Sequence, residues 1–168
     1  MKFGPVPLDA AQGAVLAHAI GLPSGKLKKG RVLTAADVDA IAAAGMDTVI
    51  AARLDPGDVD EDRAAARLAA ALVPEPGAAG LRVDAAFTGR ANIRATGPGV
   101  MELDARAIGR LNAVDPMITL ATVPEWQRVT EGMMVGTVKI ISYAVPEAAL
   151  AAACAAGAGA MRRHAPVV

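Results

Sequence analysis

The stretch that decides how this chain is organised runs from Pro74 to Gly80 and reads PEPGAAG. Two closely spaced prolines cannot continue a helix, and the glycines give the backbone extra freedom. The apolar spacing is mainly helical before this stretch, and short strands with intervening turns follow it. The sequence therefore predicts an exposed hinge at residues 74–80 between two structural units.

Upstream of the hinge, residues 1–73 predict a small αβ unit. Strands are expected up to about Ile20 and over residues 48–52. The run from Thr34 to Asp37 has the pattern of a capping box, which marks the start of a helix. A second helix is expected to begin in the acidic stretch 58–61 and to run to about Leu72, because acidic residues stabilise a helix N-terminus.

Downstream of the hinge, residues 81–145 predict a mainly-β, barrel-like unit with one inserted helix that Asp104 caps. Its strands are expected over residues 87–94, 100–103, 117–123 and 135–145, with a turn at 97–99. Pro146 then opens an Ala-rich helix. Residues 146–168 are expected to form this helix and a tail that leads to a domain outside the chain. The predicted fold class is α+β.

Composition excludes several classes of function. Seventeen basic and seventeen acidic residues give a formal net charge of zero, so no strong overall field points to nucleic acid or to an anionic membrane. Aromatic residues make up 2% of the chain, too few for a module that binds single strands by stacking. No signal peptide and no membrane-spanning run is recognisable. Cys154 has no second cysteine to pair with, and the default prediction is a cytoplasmic protein.

No familiar catalytic or metal-binding spacing is present. The chain contains no HExxH, CxxC or GxSxG pattern, and His18, His164 and Cys154 are far from one another or surrounded by alanine. The sequence thus predicts no catalytic residue and no metal site. The acidic cluster at 58–62 is compatible with a weak divalent ion, but a helix N-terminus explains it equally well.

Polar residues that suggest a ligand site occur in three places. Lys28 and Lys29 belong to a basic run at 26–31, which is typical either of a phosphate contact or of a solvated hairpin. Arg90 and Asn92 alternate along a predicted strand and therefore share a face. Asn112 and Asp115 lie where a helix ends, and such residues either cap the chain or line a groove.

Lys139 raises a separate alternative. The run 129–141 loosely resembles a biotinyl or lipoyl carrier domain, in which a lysine is exposed at the tip of a hairpin. Here the neighbours of Lys139 include no turn residue, so the pattern favours a lysine within a strand.

Seven stretches carry a resemblance to a known family: GAVLAH (13–18), LKKGRVLT (27–34), DVDEDRAA (58–65), FTGRAN (87–92), LNAVD (111–115), TLAT (119–122) and GMMVGTVKII (132–141). Taken together they resemble the N-terminal region of a group of bacterial and archaeal molybdopterin-binding proteins, which are relatives of the MoeA- and gephyrin-like molybdopterin molybdotransferases. They follow the family's order from about residue 3 to 150.

The resemblance implies an accessory domain that contributes to binding the pterin phosphate of molybdopterin, or to assembly, during molybdenum cofactor biosynthesis. In the relatives the pterin binds mainly in a following α/β domain, and a nucleotidyltransferase domain comes after it in some of them. The residues expected to help bind the pterin are Lys28, Lys29, Arg90, Asn92, Asn112, Asp115 and Lys139. A purely structural or homo-oligomerisation module without a ligand is the main alternative.

Overall fold

The computed structural model describes residues 1–166, which divide into two compact units with the boundary between Asp58 and Val59. Helices and strands are both present, and the strands form several small sheets. The predicted α+β class is confirmed.

The first unit combines a three-stranded sheet, a hairpin and one helix. In chain order its elements are β1 (Lys2–Pro7), a 3-10 turn (Leu8–Ala10), β2 (Val15–Leu16), β3 (Ile20–Leu22), β4 (Gly25–Leu27), α1 (Ala35–Ala43) and β5 (Thr48–Arg53). Strand β5 lies between β1 and β2, and β3 pairs with β4. Leu16, Leu33 and Ile41 are buried in its core.

The predicted capping box at the start of α1 is confirmed. The Asp37 backbone N–H donates to the Thr34 hydroxyl at 3.2 Å, and the Thr34 backbone N–H donates to the Asp37 carboxylate at 3.0 Å. These bonds satisfy two backbone donors that the first turn of a helix leaves unpaired. The Arg31 guanidinium also donates to Asp37 at 2.8 Å.

The second unit contains most of the strands and four helices of the described chain. Its elements are β6 (Asp58–Asp60), α2 (Glu61–Leu72), α3 (Pro76–Ala79), β7 (Leu81–Val83), β8 (Arg90–Ala95), β9 (Gly99–Leu103), α4 (Ala105–Asn112), β10 (Ile118–Thr122), β11 (Arg128–Val129), β12 (Met134–Ile140), β13 (Ala144–Pro146), α5 (Glu147–Gly157) and β14 (Met161–His164). They form the sheets β10-β12-β8-β7 and β11-β9-β14 and the pair β13-β6.

Helix α2 belongs to the second unit, and the unit boundary therefore precedes it. Leu68 and Leu72 are fully buried in the core of that unit, where α2 contacts α5, β8 and β12. The sequence placed the boundary at 74–80 instead, because prolines and glycines there signal a break in the chain. In the structure these residues include α3, and the Arg163 guanidinium donates to the Gly80 carbonyl at 3.0 Å.

The sheets of the second unit remain open. Strand β8 lies in the four-stranded sheet and β9 in the three-stranded one, so the turn at 97–99 leads from one sheet to the other. No sheet of the described residues closes into a barrel, which corrects the barrel-like description of this unit. The predicted long strand at 135–145 is two strands, β12 and β13. The tail continues from α5 into β14, which pairs antiparallel with β9, and Val167 and Val168 lie outside the described residues.

The four-stranded sheet has one buried face and one that faces solvent. Ala91, Ile93 and Ala95 of β8 are buried on the side that helix α2 covers. Because successive strand residues point to opposite faces, Arg90, Asn92 and Arg94 lie on the other side. None of the helices in residues 1–166 has both the length and the apolar character needed to cross a bilayer.

Candidate anion-binding face

The solvent side of the four-stranded sheet, called here the outer sheet face, is polar and basic. Strand alternation and the antiparallel registers place one set of residues on it. The set is Arg82, Arg90, Asn92, Arg94, Thr119, Thr137 and Lys139. Three of the seven residues predicted to help bind the pterin are thus brought together: Arg90, Asn92 and Lys139.

One row of this face runs straight across the strands. Arg90 of β8 is paired with Lys139 of β12, and Lys139 is paired with Thr119 of β10. An isolated bridge pairs Arg90 with Phe87 on the other side. Directly opposed residues of antiparallel strands have Cβ atoms about 4.5–5.5 Å apart and lie on the same face. Two cationic side chains are therefore immediate neighbours, with Phe87 next to them.

Arg90 and Lys139 form a like-charge pair, and the nearby Asp62 and Glu61 carboxylates lie against Gly89 of the adjoining turn. Like charges directly opposite each other destabilise a sheet. Among the ion pairs of residues 1–166, none involves either side chain. The Lys139 ammonium instead donates to the Thr88 carbonyl at 2.6 Å. An anion placed at this pair would relieve the repulsion.

A second like-charge pair on the same face is neutralised. Arg82 and Arg94 are also directly opposed across β7 and β8. Asp84 accepts a hydrogen bond from Arg82 at 2.7 Å and another from Arg94 at 2.8 Å. The contrast confines the uncompensated positive charge of the face to the end that carries Arg90 and Lys139.

Asn92 lies between the two pairs. Its side-chain oxygen accepts a hydrogen bond from the Thr137 hydroxyl at 2.9 Å. This bond fixes the amide and directs its nitrogen away from Thr137, so the N–H groups remain available for an acceptor in solution. Asn92 and Thr137 thus add neutral hydrogen-bonding groups beside the cations.

The turn between Phe87 and Arg90 is held from several sides. Phe87 and Arg90 exchange two backbone hydrogen bonds of 2.9 and 3.1 Å, and Thr88 and Gly89 both have positive φ, 49° and 68°. These are the properties of a two-residue type I′ hairpin turn. The Gly89 N–H donates to the Asp62 carboxylate at 2.7 Å, and the Gly89 carbonyl accepts from the Ile140 N–H at 2.7 Å. The tip is consequently a rigid part of the fold.

Asn112 and Asp115 have roles in holding the backbone. The Asn112 amide donates to the Leu120 carbonyl at 2.9 Å and accepts from the Leu120 N–H at 2.8 Å, which satisfies the free edge of β10. Asp115 accepts from the Met117 N–H at 2.8 Å and stabilises the turn before β10. These bonds agree with the capping role, which was one of the two interpretations that the sequence left open for both residues.

Lys28 and Lys29 belong to the first unit. They follow β4, are exposed, and precede the residues that pack against β2. The sequence grouped them with Arg90, Asn92 and Lys139, which belong to the second unit. Whether they share a ligand with the outer sheet face stays a prediction.

The acidic cluster and His164 have structural contacts. Asp60 caps α2 by accepting from the Arg63 N–H at 3.0 Å, and Asp58 accepts from the Asp55 N–H at 2.8 Å. His164 lies 2.6 Å from the Glu102 carboxylate. Residues 1–166 contain no group of three or more His, Cys, Asp or Glu side chains arranged to hold a metal ion. Burial raises the pKa of the Cys154 thiol, which lowers its reactivity.

A larger cleft lies elsewhere in the second unit and has the wrong charge for an anion. Its volume is about 490 Å³, and Glu102, Asp104 and Glu125 line it together with Arg162. Asp104 is occupied in capping α4, since it accepts from the Ala107 N–H at 2.9 Å. The outer sheet face is shallower, but it combines an unneutralised positive pair with a fixed amide.

Sequence reasoning found part of this face and missed the rest. The alternation that joins Arg90 to Asn92 extends to Arg94, and the Thr88-Gly89 dipeptide is a turn signal inside what was predicted to be one strand. Only the pairing of the strands shows that the outer sheet face also includes Arg82, Thr119 and Thr137. Pairing of distant strands leaves no local mark in a single sequence.

Comparison with known proteins finds a family-model match in the first unit only. The family model described as Domain of unknown function (DUF8806) matches residues 5–53. That stretch lies within the first unit and includes Lys28 and Lys29 but none of the outer sheet face. No curated protein matches the chain. No solved structure matches it either.

Proposed function

We propose that this chain is an accessory domain of a molybdopterin-binding protein in molybdenum cofactor biosynthesis, and that its outer sheet face supplies part of the pterin-phosphate site. The family suggestion comes from the sequence resemblance. The observation that carries the binding role is that Arg90 and Lys139 are directly opposed and that neither forms an ion pair within residues 1–166. The domain would act in the cytoplasm and would not catalyse a reaction by itself.

The pair fits a phosphate on physical grounds. A hydrogen bond between a charged donor and a phosphate oxygen contributes about 1.5–3 kcal/mol. A dianionic phosphate between Arg90 and Lys139 would gain such bonds and also remove a repulsion that costs roughly 0.2–1 kcal/mol. The Asn92 amide would supply a neutral donor on the same face.

The face is open, so it would form only part of a complete site. Association itself costs several kcal/mol, which offsets most of the gain from two phosphate contacts. We therefore expect this chain alone to bind a pterin phosphate with a Kd of about 1 mM or weaker. A following α/β domain, as the resemblance implies, would provide the remaining contacts.

Lys139 is better placed for binding than for carrying a covalent group. It lies within β12, paired on both sides, and its ammonium is bound to the hairpin tip. A carrier lysine has to be presented to a modifying enzyme on an exposed turn. This placement supports the phosphate role over the biotinyl or lipoyl alternative.

The test is a titration of this chain with neopterin monophosphate at low salt, in which calorimetry or equilibrium dialysis measures the affinity. We expect Arg90→Ala and Lys139→Ala each to weaken binding about 10-fold or more. Arg106→Ala is the matched control, because Arg106 is an exposed arginine on α4 away from the sheet face. Equal affinity of all three variants and the native chain would contradict the proposal.

The structural alternative gives a different result in solution. Sedimentation equilibrium measures whether the chain self-associates without ligand. A stable homo-oligomer that fails to bind neopterin monophosphate would favour an oligomerisation module and reject the ligand site. A monomer whose binding depends on Arg90 would support the proposed function.

A further inference from the structure

Phe87 is an unusually exposed aromatic side chain beside the like-charge pair. It is 75% exposed, the highest value among the large hydrophobic residues in the described part of the chain. A chain with only four aromatic residues would gain stability by burying this one, since removing a phenylalanine side chain from water is favourable. Its exposure at the tip of a held hairpin suggests a role in contact with a ligand.

The position of Phe87 is fixed by its backbone. It exchanges two hydrogen bonds with Arg90, and the turn it begins is anchored through Gly89 to Asp62 and Ile140. Thr88 adopts φ 49°, which is rare for a β-branched residue and is found where surrounding contacts enforce it. A side chain presented on such a turn needs little further ordering when a ligand binds.

Exposed apolar residues also lie beside Lys139 at this end of the sheet. The Ile141 N–H donates to the Met117 carbonyl at 2.8 Å, so the pairing of β10 and β12 continues one step beyond the strands. Alternation puts both side chains on the outer sheet face, in the row after Thr119 and Lys139. Ile141 is 54% exposed and Met117 is 39% exposed. The cationic pair thus has apolar surface beside it.

We propose that Phe87 is the ring-binding residue of this site and that the ligand class is a phosphomonoester attached to a planar heteroaromatic ring. The ring stacks on Phe87 while the phosphate binds between Arg90 and Lys139. Strand spacing of about 4.8 Å separates Phe87 from Lys139 by roughly 10 Å, with Arg90 between them. This inference rests on the proposed phosphate site and adds to it the residue that distinguishes a ring-bearing phosphate from phosphate alone.

The experiment compares three probes that separate the two parts of the ligand. GMP carries both ring and phosphate, guanosine carries the ring alone, and inorganic phosphate carries the anion alone. NMR titrations of the ¹⁵N-labelled chain give the three affinities, and the guanine H8 resonance reports stacking on a ring. We expect GMP to bind roughly 5- to 150-fold more tightly than inorganic phosphate, the range that one base–aromatic stack supports.

Variants assign that preference to Phe87. Phe87→Ala and Phe87→Leu should remove the preference for GMP and leave the affinity for inorganic phosphate unchanged, whereas Phe87→Trp should preserve it. Trp126→Ala is the control, because Trp126 is 59% exposed but lies on the loop before β11. An intermolecular NOE between guanine H8 and the Phe87 ring would support the stacked geometry directly.

The failures of the two proposals are distinguishable. If Phe87→Ala keeps the preference for GMP while Arg90→Ala weakens both GMP and inorganic phosphate, the stacking role is rejected and the phosphate site stands. If Arg90→Ala and Lys139→Ala leave inorganic phosphate binding unchanged, the proposed function itself fails. A parallel titration with neopterin monophosphate separates the two ligand sources, since tighter binding than GMP indicates a pterin and the reverse order a nucleotide.

Discussion

The two ends of the outer sheet face each carry a pair of opposed cations, but only one of the pairs is bonded to a carboxylate. At one end Arg82 and Arg94 oppose each other and share the Asp84 carboxylate. At the other end Arg90 and Lys139 oppose each other, and within residues 1–166 neither forms an ion pair. A sheet that needed only solubility would neutralise both pairs or space them apart. Under the proposed function, an anionic ligand bound at the second end would relieve the repulsion that the fold leaves there.

The largest expected effect concerns the hairpin that holds this second end in place. Gly89→Ala would put a Cβ atom 2.8 Å from the Ile140 carbonyl at φ 68°, so the variant should lose about 2–5 kcal/mol of unfolding free energy. Gly132→Ala is the matched control, because Gly132 also has positive φ but has open space around it. Urea unfolding of both variants gives the difference. Equal losses would mean that the tip is not held as described.

The next prediction concerns Asp84, the acid that makes the two ends of the face different. Asp84→Asn leaves Arg82 and Arg94 as an unneutralised pair and should lower the free energy of unfolding by about 1 kcal/mol, since the pair is only partly buried. The loss should shrink at 1 M salt, where the Debye length is about 3 Å. Chemical denaturation at two salt concentrations measures it. A loss that salt does not change would contradict the electrostatic account of that end.

A smaller effect of opposite sign is expected at the Arg90 end. Arg90→Thr replaces one of two opposed cations by a residue that favours strands, and should raise the free energy of unfolding by about 0.2–1 kcal/mol at low salt. The same variant should lose phosphate affinity. Thermal unfolding and a phosphate titration on one preparation test both parts. A destabilised variant would show that Arg90 is structural.

A pH prediction extends the comparison to a neutralised arginine in the first unit. Arg31, together with the backbone N–H of Thr34, lowers the pKa of Asp37 to about 2. Because the folded pKa is below that of the unfolded chain, the contribution of Asp37 to stability is present above about pH 4 and is lost as the pH falls towards 2.

NMR titration of the Asp37 carboxyl in the native chain and in Arg31→Ala measures this effect. In the variant the pKa should rise towards the ordinary range for aspartate. An unchanged value would mean that Thr34 alone holds the carboxylate.

Local features of the fold were predictable, and long-range ones were not. The capping box of Thr34 and Asp37 and the cap at Asp104 depend on residues close in sequence, and both are confirmed. The boundary was not found, because the membership of α2 depends on Leu68 and Leu72 packing against strands far along the chain. The PEPGAAG stretch marks a change of local structure, but the residues on both sides of it pack into the same hydrophobic core.

The candidate site shows the same limit. Alternation alone joined Arg90 to Asn92, but only the register of β8 against β12 shows that Lys139 faces Arg90. The exposure of Phe87 follows from a turn at Thr88 and Gly89 that was predicted as part of a strand. The amide of Asn112 is compatible with a ligand site when the sequence is considered alone. Only the position of Leu120 shows that this amide instead pairs with the backbone N–H and carbonyl at the edge of β10.

The central claim, that a phosphate binds between Arg90 and Lys139, is tested most directly by locating the bound ligand on the chain. Backbone ¹H–¹⁵N shifts recorded during a titration with neopterin monophosphate map the contact residue by residue. We predict shifts confined to residues 87–92 and 137–141, and their loss in Arg90→Ala but not in Arg106→Ala. Shifts centred on the Arg82 and Asp84 end, or on another surface of the second unit, would contradict the account.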